Sequence, residues 1–126
     1  MSWNKVNLRQ VDDVAAANGL SDHMEARFPR GDLGAGATGL AHILIKPGMR
    51  QPFAHRHQEA EEVYVVISGG GVVKLDDEVV EIGALDVIRM DPEVARGLEA
   101  GPDGLEILAF GPHHEGDSEM VDDLWG

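Results

Sequence analysis

His55-Arg56-His57-Gln58-Glu59-Ala60-Glu61-Glu62-Val63-Tyr64-Val65-Val66-Ile67-Ser68-Gly69 joins two imidazoles, a carboxylate and a β-branched run in fifteen residues. Side chains alternate faces along a strand, so His55 and His57 point the same way if their segment is extended. Val63 to Ile67 reads as a strand closed by Ser68-Gly69-Gly70-Gly71. A short turn between His57 and Glu62 then brings two nitrogens and one oxygen to a point, a ligand set for a divalent transition metal with positions left open. Three of the five residues from Gln58 to Glu62 are glutamates, so the register matters. Glu62, in parity with Tyr64 and Val66, is the expected ligand, with Glu61 outward alongside Val63 and Val65; a one-residue slip would reverse that assignment.

Around this stretch the chain reads as short strands. Leu40–Ile45 is stopped by Pro47-Gly48, and after Glu62–Ser68 come Val72–Leu75, Val79–Ile82, Asp86–Met90, Gly97–Ala100 and Leu105–Phe110. Asp76-Asp77 sits where a hairpin turns, and Gly101-Pro102-Asp103-Gly104 carries strong turn chemistry. Even spacing with almost no helical periodicity predicts an all-β antiparallel sandwich or barrel. Before it, Val6-Asn7-Leu8 is expected as a short strand and Val11–Asn18 as a turn or two of helix ended by Gly19. Asp22 to Arg30 reads as irregular, and Gly31 to Gly39 as a glycine-rich connection. The expected organisation is one domain over 1–126, with a barrel core at about 40–110, an irregular segment at 1–39 and an acidic tail at 115–126.

Composition narrows the function. The 126 residues carry 23 acidic against 10 basic side chains, a formal charge of −13. That field repels phosphate backbones and anionic lipid, so neither nucleic acid nor membrane is an expected partner. There is no cysteine, hence no disulfide, thiolate ligand or cysteine nucleophile. The start, Met1-Ser2-Trp3-Asn4-Lys5, lacks a signal-type apolar stretch, and no run approaches spanning length, so the expectation is cytoplasmic. Ser68 lacks a nucleophile-elbow frame, and Gly69-Gly70-Gly71 lacks the lysine and helix of a phosphate loop. Leu124-Trp125 at the end of the tail is expected to pack on the barrel or on a second subunit.

Pro47-Gly48, His55-x-His57, Glu62 and Gly69 resemble the first sequence motif of the cupin family, over a span of roughly Leu40 to Phe110. The resemblance implies a jelly-roll β-barrel in which His55, His57 and Glu62 bind a metal, with a fourth histidine from a second motif. It also implies a homodimer. One residue more than usual separates Gly48 from His55. The second motif departs further: Asp86 to Pro92 resembles its strand and proline turn, but its glycine is Glu93, its histidine is Arg96 and its asparagine is Ala100. Arginine stays charged and has no lone pair for a metal. Arg96 is expected to point inward, either paired with Glu62 or clamping a carboxylate or phosphate on a ligand; a solvent-facing Arg96 is the remaining alternative.

Three further histidines, His23, His113 and His114, read as surface or structural. His42 lies in an apolar strand in parity with Leu40 and Leu44, so it is a candidate for the interior, as a satisfied core histidine or a ligand contact. Tyr64 shares the face of Glu62 and is read as a ligand contact too. The implied cofactor is Fe, Mn, Ni or Zn, and the implied partner is a small anionic molecule. An oxygenase or isomerase is the leading class. The alternatives are a metal-free small-molecule module in which Arg96 replaces the metal, and a non-catalytic assembly barrel.

Overall fold

The computed structural model describes residues 2–126. Its strands are β1 (Met24–Arg27), β2 (Thr38–Ile45), β3 (Ala54–His57), β4 (Glu62–Leu75), β5 (Glu78–Gly83), β6 (Val87–Met90), β7 (Arg96–Pro112) and β8 (Ser118–Val121). Every pairing among them is antiparallel. The order runs β1-β2-β7-β3-β8, and β4 joins β7 while also pairing with β5 and β6. The result is a curled all-β jelly roll, as the strand spacing predicts.

Period-two alternation aims the core. Ala41, Ile43 and Ile45 of β2, Tyr64 and Val66 of β4, and Leu105, Ile107 and Ala109 of β7 are buried in one apolar cluster. Glu62 continues the inward series of β4, and Arg96 continues that of Leu98 and Ala100 in β7. Two polar positions are thereby placed at the end of an otherwise apolar interior.

Four expectations need correction. The chain does not turn at Gly69–Gly71 or at Gly101–Gly104, because β4 and β7 each run through as one long strand. Gly69 pairs with Leu105 and Gly71 with Ala100, so residues 101–104 stand opposite Gly70 alone. Turn-type residues here build a bulge that bends the sheet. Residues 6–8 are not a strand; Asn7 caps a 3-10 turn over Leu8–Gln10. The segment 22–30 is not irregular throughout, since Met24 and Ala26 are buried in β1 while Glu25 and Arg27 face out and pair with each other. The first half of the acidic tail, which its composition marks as solvated, instead contributes β8 and pairs with β3. Val14–Ala17 is helical (α1), and Arg30–Leu33 forms a single helical turn (α2) closed by Gly34 at φ +66°. The end packs on the barrel: Trp125 lies against Gly97, and the Arg50 guanidinium sits 4.1 Å over its ring.

Candidate metal centre

Alternation on β3 turns His55 and His57 inward, while Arg56 between them faces Glu119 on β8. Glu62 opens β4, and Glu61 points outward to Arg89. One ligand atom each from His55, His57 and Glu62 falls within 4.8 Å of the others. The Glu62 Oε1 lies 3.4 Å from His55 Nε2, and its Oε2 lies 3.5 Å from His57 Nε2.

The fit to a metal is visible in the far side of His57. Its Nδ1 lies 3.1 Å from Asp117 Oδ2, an acceptor, so Nδ1 carries the hydrogen and Nε2 is the atom left to face Glu62. That Nε2 is buried without a hydrogen-bond partner. A carboxylate behind a ligating imidazole is the usual device for fixing its tautomer and orientation. Asp117 is in turn held by the backbone N–H groups of Glu59 and Ala60, at 2.8 and 3.0 Å. Sequence reading missed it among the acidic residues of the tail. Burial works to raise the Asp117 carboxyl, but those N–H donors and His57 outweigh it and hold it below its usual range. Asp117→Asn is therefore expected to cost about 10- to 100-fold in divalent-metal affinity, measured by calorimetric titration, with the fold retained.

Electrostatics concentrate on Glu62. Burial pushes its carboxyl up, yet His55, His57 and the Arg96 charge outweigh that and hold it at about 2. Contact with Glu62 raises His57 above its ordinary value, against burial and Arg96. A metal held at Nε2 would compete with a proton for that lone pair.

Arg96 points inward and is wholly buried. Its Nη1 lies 3.4 Å from Glu62 Oε1, and its Nη2 donates to the Asp91 carbonyl at 3.0 Å. It stands behind the carboxylate and is not among the residues lining the cavity in front of the triad. Of the two inward readings, the geometry is that of the ion pair, and the clamp is corrected. His42 is corrected as well: it shares parity with Leu40 and Leu44, but the inward set of β2 is Ala41, Ile43 and Ile45. His42 Nε2 meets Glu106 at 2.7 Å on the other face, where Ser68 also donates to that carboxylate.

Tyr64 does reach the site. It lines a cavity of about 570 Å³ together with His55, His57, Glu62 and Gln51. Its hydroxyl is buried and lacks a hydrogen-bond partner. Burial, reinforced by the Glu62 charge, pushes its pKa well above the usual phenol range, so it stays protonated. The other walls are mainly apolar, among them Leu20, Met24, Phe28, Ile43 and Phe53.

The chain is 29% identical over 86 residues to an uncharacterised protein of Methanocaldococcus jannaschii, covering 66% of this chain and 68% of that one. Similar solved structures include a cupin protein of Bacteroides fragilis, at 21% identity and TM-score 0.73, covering 92% of this chain and 88% of that chain. A nucleoside dehydratase of Streptomyces superposes with TM-score 0.72 at 18% identity, covering 95% and 92%. The polyketide cyclase RemF of Streptomyces resistomycificus gives 0.74 at 20%, covering 94% and 84%. The cupin domain model matches residues 41–109, more than half of the chain, and this protein belongs to the cupin family.

Proposed function

We propose that this protein is a metal-dependent enzyme that moves a proton next to a carbonyl, as in isomerisation or loss of a β-hydroxyl, on a small molecule with an apolar body. The observation that carries the reading is the Tyr64 hydroxyl, protonated, buried and unpartnered in the same cavity as His55, His57 and Glu62. A divalent cation held by those three supplies Lewis acidity at a substrate oxygen. Tyr64 would donate a hydrogen bond to that oxygen as negative charge develops there, while the proton leaving the carbon passes to a water that enters with the substrate. Asp117 keeps His57 oriented, and against burial His55, His57 and Arg96 together keep Glu62 ionised. The apolar walls exclude bulk water, which strengthens each of these interactions.

The named activities of two fold neighbours, a dehydratase and a cyclase, belong to non-redox chemistry of this broad kind. Among the four candidate metals this reading favours those that act as Lewis acids over an oxygen-activating iron.

Solvent deuterium exchange into a panel of short oxo acids and oxo alcohols, followed by NMR on metal-loaded protein, tests the proposal. Wild type is expected to exchange the hydrogen beside the carbonyl, and Tyr64→Phe to slow this about 10²- to 10⁴-fold with its metal still bound. Exchange that is indifferent to Tyr64→Phe would remove the hydroxyl from the mechanism and the reading with it.

A second reading has its own observation. The Arg96–Glu62 pair already sets a cation beside the carboxylate, as a metal-free binding module requires. Metal content separates the two.

A further inference from the structure

Two cavities meet at the triad. The second, of about 370 Å³, shares Phe28, Ala41, His57, Glu62, Ala109 and Ser118 with the larger one. Its walls differ in kind: Arg30, His113 and His114 line it, and no arginine or lysine lines the larger cavity among the described residues.

Almost every charged group on the smaller cavity is already spent within the chain. Glu62 faces Arg96, Asp117 faces His57, and Glu61 faces Arg89. His113 lies beside Glu115, and His114 beside Glu59. Arg30 is the exception. It is half-buried, and its Nη1 donates at 3.1 Å to the carbonyl of Ala35, in the loop that follows its own helical turn. It forms no ion pair among the described residues. Among the described residues five of the seven arginines pair with a carboxylate, and Arg30 does not. Here it lies on the wall of a cavity that opens onto His57 and Glu62.

We infer that the smaller cavity is a carboxylate subsite, in which Arg30 receives the anionic end of a substrate whose apolar body occupies the larger cavity. A planar guanidinium held at one corner still offers parallel N–H donors, the geometry that pairs with a carboxylate. One uncommitted cation matches one negative charge; a dianionic phosphate would meet the neighbouring carboxylates with a single counter-charge. The substrate class is then a short apolar carboxylic acid. The anionic ligand expected from the sequence is kept, with Arg30 in place of Arg96 as its partner. This inference rests on the larger cavity being the substrate site, and does not require a metal.

Hexanoate and its neutral isostere hexanamide, titrated into metal-free full-length protein, separate charge recognition from apolar burial. Wild type is expected to prefer hexanoate by about ten-fold or more. Arg30→Gln brings the two ligands to within about two-fold with hexanamide binding unchanged, and Arg30→Lys keeps part of the preference. The same preference in Arg30→Gln as in wild type, or none in wild type, overturns the subsite. Should Arg30→Gln not fold, the Arg30 Nε–Hε resonance of wild type decides. It must move with hexanoate and not with hexanamide, and an unmoved resonance overturns the inference. Hexanoate selection by a protein that takes up no metal would sink the metal reading and leave the subsite standing.

Discussion

Arg96→Met is expected to cost the metal-free protein about 3 kcal/mol in denaturant unfolding, the scale for a buried ion pair that loses one partner. Methionine occupies much of the same volume, so packing is largely kept and the loss falls on charge. Glu62 keeps His55 and His57 but gives up the guanidinium that stands behind it, and the Asp91 carbonyl loses its donor. A divalent metal restores a cation beside the carboxylate. Added metal should therefore stabilise Arg96→Met more than it stabilises wild type. The position allows a second reading-out of the same idea. Arg96 is the register partner of His55 and already reaches Glu62. Arg96→His removes a positive charge and supplies a lone pair, so calorimetry is expected to show about ten-fold or more tighter metal binding. A loss under about 1 kcal/mol in Arg96→Met, with metal affinity unmoved in Arg96→His, would mean that Arg96 and the triad are not electrostatically joined.

The other large effect lies at the β4–β7 bulge. Gly71→Ala is expected to destabilise by about 3 kcal/mol or more, or to abolish soluble expression. A Cβ at Gly71 would stand 2.1 Å from the Glu99 carbonyl oxygen and 3.0 Å from the Ala100 Cα. Both are backbone of the paired strand, so no side chain can move aside. β4 and β7 would have to part at the bulge that sets their register, and these two strands carry Glu62 and Arg96. Gly31→Ala serves as the control, since an added Cβ there meets nothing within 4 Å. Its thermal midpoint should hold or rise slightly. Equal behaviour of the two variants would show that the β4–β7 bulge tolerates spreading.

The triad was legible because strand parity is a local property. His55-x-His57 and the series Glu62, Tyr64, Val66 each state their own face once the segments are extended. Which face of β2 is inward is not local. His42 shares parity with Leu40 and Leu44, and only the packing of β2 on β7 decides that Ala41, Ile43 and Ile45 go in. The turn residues misled for a related reason. Gly69–Gly71 and Gly101–Gly104 have the composition of chain reversals, but their partner strands hold them in a bulge. Gly69, at φ +75°, would also bring a Cβ to 2.0 Å from the Gly104 carbonyl oxygen. Asp117 was illegible, because it stands 60 residues from His57 amid other acids, and only the pairing of β8 with β3 delivers it. Arg30 hid for the same reason, in a segment without periodicity.

The central claim is that His55, His57 and Glu62 hold a metal, with Asp117 fixing the imidazole that completes the site. Metal content by mass spectrometry on untagged wild type, beside His57→Ala, tests it most directly. The account predicts about one divalent transition metal per chain in wild type, and its loss in His57→Ala with the fold intact. No metal in either protein, even after incubation with iron, manganese, nickel and zinc, would contradict it and leave the Arg96–Glu62 pair as the cation of a metal-free site.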